Sequence, residues 1–394
     1  MKICIVGAGI GGVTAALALV KTGHNVTVLE RAPGVSSLGA GLQISANARR
    51  VLYSLGLGSA FASIATEPAR LVVRRWQDDS IIGQAPLTGA HDAQFGHAFA
   101  NVSRNELAQI LVEAAADLAN LTIHFGTAVD SIDESGSRPV VHSGDKSFEA
   151  DAVIGADGIH SVVRSLVAGA DSPRFSGWAA FRASVPRDRV DHLPVETTNR
   201  VGPGAHVVSY FSGRNRSHLN LVFIAPEADW RAESWTQQTS LSSLREAFIG
   251  WSPQLHEIID AVEEPVYRWA LYDREPLSNW CKGPVALLGD AAHPMLPFMA
   301  QAACQAIEDG AVLARCLEGV QAGASSVAIA LKRYESTRVE RATQVQAGSY
   351  FNRIVFHYPD GEDQLARDQM FASDGWSTAI DWIYGYDALS APLV

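Results

Sequence analysis

The chain has 394 residues, 47% of them hydrophobic and 19% charged, enough for one large core or for two that share an interface. A formal charge of −11 argues against nucleic acid or an anionic membrane surface as the main partner, so an anionic small molecule would need its own local Arg, His or helix N-terminus. The four cysteines, Cys4, Cys281, Cys304 and Cys316, form no CxxC pair and no cluster with His, which predicts buried thiols in a reducing, cytoplasmic setting, with neither disulfide nor metal.

Residues 3–20 carry no charge, yet Gly7, Gly9, Gly11 and Gly12 interrupt the run and no small-residue cleavage pattern follows, so it reads as folded interior. KICIV predicts a strand, GVTAALALVKTG a helix and VTVLE a second strand, together a strand-turn-helix-strand unit in a buried parallel sheet. Between the first strand and the helix, GAGIGG sets Gly7, Gly9 and Gly12 in G-x-G-x-x-G spacing. Such a turn brings a pyrophosphate against backbone N–H groups at a helix N-terminus. Glu30 ends the second strand, where an acid accepts hydrogen bonds from an adenosine ribose. The spacing predicts a dinucleotide site and leaves NAD and FAD open.

A helix is expected at about residues 45–55, and LVVRRWQDDSIIG predicts a hairpin that turns at Asp78 and Asp79. SRNELAQILVEAAADL carries a capping box, Ser103 with Glu106. LTIHF and DAVIGADG are expected core strands, the second running into the helix IHSVVRSLV. From about Phe175 the pattern becomes longer and alternating: WAAFRASV, HVVSYFS and HLNLVFIAP, separated by the polar GRNRS. That change predicts an inserted antiparallel sheet. In HVVSYFS, His206 and Tyr210 share a strand face with Cα atoms about 13 Å apart, a span that frames one aromatic ring. PVALLGD then returns to a short buried strand, followed by the helix AQAACQAIEDGAVLARCL.

The return strand ends in Gly289 and Asp290, followed by His293 and Pro294. A plain NAD dehydrogenase has no need of a second acid-bearing strand end, whereas the ribityl chain of FAD offers hydroxyls to a carboxylate such as Asp290. Read alone, Asp157 and Asp290 also fit simple turns, and Arg104, one residue past a helix cap, also fits a solvated helix start.

IGADGIHSVVR at 154–164 and LLGDAAHP at 287–294, with GAGIGG and the ERAP…LGAGLQIS…N segment at 30–47, resemble the class A flavoprotein aromatic hydroxylases, in particular the salicylate hydroxylase and 6-hydroxynicotinate 3-monooxygenase types. The likeness spans nearly the whole chain, including SGWAAFRASV at 176–185 and DWIYGYDA at 381–388. It implies an α/β fold: a Rossmann-like FAD-binding domain (1–172 with 276–322), an inserted antiparallel-sheet substrate domain (173–275) and a C-terminal helix and tail (323–394). NAD(P)H is then a transient co-substrate without its own Rossmann unit, and a homodimer is allowed but not required.

Carried over residue by residue, the resemblance puts Gly7, Gly9, Gly11 and Gly12 on the FAD pyrophosphate, Glu30 on the ribose and Arg31 at the adenosine end. It makes Arg104 an FAD contact, Val129 a backbone contact to adenine, Asp157 the acid of a DG motif serving FAD and the nicotinamide donor, and Asp290 the ribityl acceptor. Where the family writes Gly-Gln-Gly, this chain has Ala300, Gln301 and Ala302; with Ala303 they open a helix whose N–H groups face the flavin, now beside two added methyl groups.

The chemistry implied needs a ring activated by a hydroxyl or amino group and a site that deprotonates it while excluding water. His206 and Tyr210 match the pocket His and Tyr of the hydroxynicotinate-type relatives and are the expected catalytic pair, while Arg182 is either a carboxylate binder or a residue paired on the sheet surface. Gln43 and Phe298 stand where those relatives have pocket histidines, which implies a different substrate. The expected activity is hydroxylation of a small phenolic or hydroxypyridine acid with NAD(P)H and O2, with or without loss of CO2. A reductase or dehydrogenase of the same fold and a non-catalytic flavin-binding module are the rival readings.

Overall fold

The computed structural model describes residues 1–35, 41–228, 237–321, 326–373 and 378–394. Residues 36–40 of the ERAP…LGAGLQIS…N segment and the expected boundary at 322/323 lie outside the described residues.

The apolar run Lys2–Val6 is the centre of a six-stranded sheet, flanked in parallel by Asn25–Leu29 and Ala152–Gly155. Leu121–His124 extends it on one side and Val285–Leu287 on the other, also parallel, and only the edge pair with Cys281–Lys282 is antiparallel. Helix Ile10–Lys21 is buried at every position from Ile10 to Leu19, because helices Arg104–Ala116 and Ala302–Gln321 both pack on it. Such all-round burial explains its near-uniform apolar sequence. Side chains such as Ile3, Ile5, Leu19 and Val28, all at most 1% exposed, each contribute about 1.5–3 kcal/mol by leaving water.

The second sheet has eight strands, in the order Gln238–Thr239, Glu263–Asp273, Arg174–Pro186, His218–Pro226, Ala205–Ser212, Thr197–Gly202, Arg70–Arg75 and Ile81–Pro86. The sheet departs from the expectation in two ways. Thr197–Gly202 pairs in parallel with Arg70–Arg75, so the sheet is mixed; and its two outer strands, the hairpin turning at Asp78 and Asp79, come from within 1–172, a stretch expected to belong to the FAD-binding unit.

Alternation along these strands builds two unlike faces. Phe181, Val185, Val207, Phe211, Leu221 and Phe223 point one way, into a core closed by Leu244 and Phe248, with Leu255 and Ile259 of helix Pro253–Asp260. Their neighbours Ala180, Arg182, His206, Val208, Tyr210 and Val222 point the other way, toward the nucleotide-type sheet. A one-residue slip would exchange the faces, so the apolar core fixes which side the polar residues occupy.

Some local expectations are corrected. Ser103 precedes helix Arg104–Ala116 but makes no side-chain cap bond; Glu106 instead accepts from the Arg214 N–H at 3.2 Å, 108 residues away in sequence. The helix expected from Ile159 starts only at Val162, because the preceding residues form its cap. Cys281 is only partly buried, unlike the other three free cysteines. The pair Gly41–Ile44 with Ala100–Ser103 and the small sheet Ser131–Asp133, Val140–Ser143, Lys146–Glu149 were not anticipated. Among the described residues no helix is long and apolar enough to cross a membrane.

Candidate active site

The two sheets enclose one cavity of about 1180 Å³, above the roughly 300–1,000 Å³ of an ordinary ligand pocket. At one end lies the glycine turn. Gly7 has φ +106°, and a Cβ there would sit 2.4 Å from the Ala156 carbonyl oxygen, so only glycine permits this approach of turn and neighbouring strand. Gly9, the helix N-cap, has nothing within 4 Å of its Cβ position: the backbone there is open to an incoming group. Gly11 and Gly12 border the same space.

Glu30 stands beside this turn, its carboxylate oriented by the N–H groups of Ala8 and Ala32, each at 2.8 Å. Each oxygen keeps a further lone pair for a ligand hydroxyl. Arg31, Arg104 and Val129 also line the cavity, Arg104 near enough to Asp290 and Arg182 to act on both electrostatically. Asp157 also borders the cavity, but its carboxylate is largely engaged locally: it accepts from Ser161 Oγ and, at 2.7 Å, from the Val162 N–H, capping helix Val162–Ala168. Burial still holds its pKa above the usual carboxylate range, against those hydrogen bonds.

Asp290 projects into the middle of the cavity, where desolvation raises its pKa while His293 and Arg104 oppose the rise. Its loop is held from behind. Asp309 accepts from the Gly289 N–H at 3.0 Å and from His293 Nε2 at 2.6 Å, and Arg164 donates to the Ala291 and Ala292 carbonyls at 2.9 and 3.1 Å. Burial alone would raise the Asp309 pKa, but His293 and Arg338 outweigh it and bring it down to about 2. His293 is therefore a loop-holding residue outside the cavity lining.

The Ala300-Gln301-Ala302 segment follows. Ala300 is left-handed, φ +53°. Gln301 is fixed by Ser45 and Asn47, and Asn47 in turn donates to Glu308, which Arg338 and Arg341 hold below the usual carboxylate range despite its complete burial. Ala302 and Ala303, at the start of helix Ala302–Gln321, face the cavity with Gln43.

Beyond them the cavity reaches the polar side of the large sheet. The Arg182 guanidinium lies 4.4 Å from the Trp269 ring centre, and burial brings its pKa down to about 10. Tyr210 is 3% exposed; burial raises its pKa against the pull of Arg182, so it remains a protonated donor. His206, 2% exposed, sits between Phe298 and Phe356, with ring centres 5.3 and 5.4 Å away, and burial, then His357, lowers its pKa well below the ordinary value.

Every site residue expected from the sequence borders this one cavity. Three residues were missed. Arg164 stood inside the quoted IGADGIHSVVR motif without a role. Asn199, on the cavity face of Thr197–Gly202, has a buried Oδ1 with no hydrogen-bond partner, and alternation along that strand was its only signal. His357, bonded to His206 at 2.7 Å from 151 residues away in sequence, had no local signal at all.

A glycine turn, an oriented acid and a mid-cavity carboxylate in line fit a dinucleotide with a polyhydroxyl chain, and the remaining space past Gln43 fits a small ring. The comparisons agree. The model of the FAD binding domain family matches residues 1–349. The chain is 35% identical to the 6-hydroxynicotinate 3-monooxygenase of Pseudomonas fluorescens, covering 100% of this chain and 97% of that protein. It is also 35% identical to a 3-amino-4-hydroxybenzoate 2-monooxygenase of Streptomyces platensis, over 98% and 96% of the two chains. Among solved structures, Klebsiella pneumoniae HpxO complexed with FAD and uric acid superposes with a TM-score of 0.86 at 27% identity, over 100% and 98% of the chains.

Proposed function

Because this chain belongs to the FAD-binding family of flavoprotein aromatic monooxygenases, we propose that it hydroxylates a small phenolic or hydroxypyridine carboxylic acid in the cytoplasm, using NAD(P)H and O2. The observation that carries this is the continuity of one cavity from the glycine turn to Arg182, His206 and Tyr210. When bound, FAD supplies the redox chemistry, taking two electrons from NAD(P)H and delivering an electrophilic oxygen from O2. Gly7, Gly9, Gly11, Gly12, Glu30, Arg31, Arg104, Val129, Asp157, Asp290, Ala302 and Ala303 are the residues assigned to hold it.

The protein's own contribution is to the ring. Arg182, still a cation at neutral pH, pairs with the substrate carboxylate. The neutral His206 accepts the proton of the ring hydroxyl, making the ring electron-rich, and Tyr210 donates a hydrogen bond that orients it. Asn199 Oδ1 offers an acceptor to an amino or second hydroxyl substituent. Phe298, Trp269 and Ile224 exclude water from the reacting centre. Phe298 and Gln43, in place of the relatives' pocket histidines, favour a substrate other than 6-hydroxynicotinate.

A screen of hydroxylated and aminated benzoic acids tests this directly. The correct substrate should accelerate NAD(P)H oxidation and O2 uptake and yield a hydroxylated product. NAD(P)H oxidation without oxygenated product from any acid would favour a reductase, and slow oxidation with all of them a non-catalytic flavin-binding module.

A further inference from the structure

His206 is the first of two linked histidines. Its Nδ1 lies 2.7 Å from Nε2 of His357, whose own Nδ1 lies 2.6 Å from the Arg353 carbonyl oxygen. A carbonyl only accepts, so the proton of His357 is on Nδ1. A neutral imidazole has one N–H, so His357 Nε2 is an acceptor, and the proton between the rings belongs to His206 Nδ1. That leaves Nε2 of His206 as a bare lone pair. Since His206 borders the cavity and His357 does not, Nε2 is the nitrogen on the cavity side.

The second ring is itself fixed. His357 follows the long helix Val327–Val355, stacks on Trp178 at 4.1 Å with planes 17° apart, and accepts from the Gly204 N–H through its carbonyl at 3.1 Å. Burial keeps both rings neutral, bringing the pKa of His357 down to about 4.

The geometry points to His357 as a positioning residue that locks His206 in the Nδ1–H tautomer with Nε2 presented to the substrate hydroxyl. This rests on His206 being the base proposed above. In the step it serves, the substrate O–H bond breaks, its electron pair stays on oxygen, and an Nε2–H bond forms on His206. The resulting imidazolium donates a charge-assisted hydrogen bond to His357, which spreads the positive charge over a second ring. The proton returns when the product oxygen is reprotonated, so no electrons change hands at the histidines.

Nitrogen-15 spectra of the FAD-loaded full chain, with His206 assigned by substitution, report the tautomer without reference to turnover. The wild type should show His206 protonated on Nδ1. His357→Phe keeps a ring against Trp178 but accepts no hydrogen bond; it should move His206 toward the Nε2–H form and lower the hydroxylation kcat by about 10- to 100-fold, with FAD content unchanged. His357→Gln, whose amide oxygen can accept, should restore the Nδ1–H form and most of the rate. An Nε2–H tautomer in the wild type, or equal rates for the Phe and Gln variants, would overturn the assignment. If His357→Phe does not fold, the wild-type spectrum decides alone. A normal rate in His206→Ala would instead remove the base while leaving the tautomer result standing.

Discussion

Tyr210 lies so close to Gly41 that a Cβ at position 41 would fall 2.6 Å from its Cε2 and 2.7 Å from its hydroxyl oxygen. Gly41 is tied down on the same side, donating its N–H to Asn220 Oδ1 at 2.9 Å. The strand that carries Gln43 and the sheet that carries Tyr210 therefore meet at a position with room only for hydrogen. Gly41→Ala should push Tyr210 off its place and raise the KM for the aromatic acid by about tenfold, the scale of an overpacking cost of about 1–3 kcal/mol. Steady-state kinetics decide; an unchanged KM with unchanged coupling would contradict the contact.

Asp290→Ala removes the mid-cavity acceptor. Hydrogen bonds to a charged group are worth about 1.5–3 kcal/mol, so FAD should bind about 10- to 100-fold more weakly. The check is flavin absorbance per chain after dialysis, with His206→Ala as the control that retains FAD. Equal occupancy in the two variants would show that Asp290 does not touch the cofactor.

Ala300, at φ +53°, occupies a conformation that costs a residue with a Cβ about 1–2 kcal/mol, whereas glycine adopts it freely but is more disordered when unfolded. The net expectation for Ala300→Gly is a gain of about 0.5–1 kcal/mol, seen as a Tm higher by only about 0.5–1 °C in a chain of this length. A lower Tm would mean that the methyl group contributes more by packing than its backbone strain costs.

Much of this site was legible because its signals are local. The glycine turn, Glu30, Asp290 and the alternation of HVVSYFS each announce themselves within a few residues, and the parallel strands follow from short runs rich in apolar and β-branched residues. What was not legible depends on distant pairing. The strand Arg70–Arg75 reads as half of a hairpin, and nothing near it shows that its free edge will pair in parallel with Thr197–Gly202. Glu106 looks like a capping partner until Arg214, 108 residues away, takes its carboxylate. Asn199 and His357 acquire meaning only once three strands and the long C-terminal helix converge on His206.

The two linked histidines also give stability a pH dependence. Their pKa values are depressed in the folded protein, so the unfolded chain binds more protons once pH falls below about 6.5. Their contribution is complete above that value and is lost as pH falls toward about 4, the folded value of His357. The Tm should be flat with respect to these groups from pH 8 to 7 and then decline. A His206→Phe, His357→Phe double variant should decline less steeply over the same range, and a parallel decline would show that the histidines are not held neutral.

His206→Ala is the most direct measurement of whether this sheet face activates the ring. It leaves the glycine turn, Glu30 and Asp290 untouched, so FAD should remain bound and NAD(P)H should still be oxidised. A general base contributes about 10²- to 10⁴-fold. On the best acid from the screen, hydroxylated product should therefore form that much more slowly, and product per NAD(P)H consumed should fall as oxygen is diverted to hydrogen peroxide. Wild-type rate and wild-type coupling in the variant would contradict the role assigned to His206 and reduce it to a residue of the sheet.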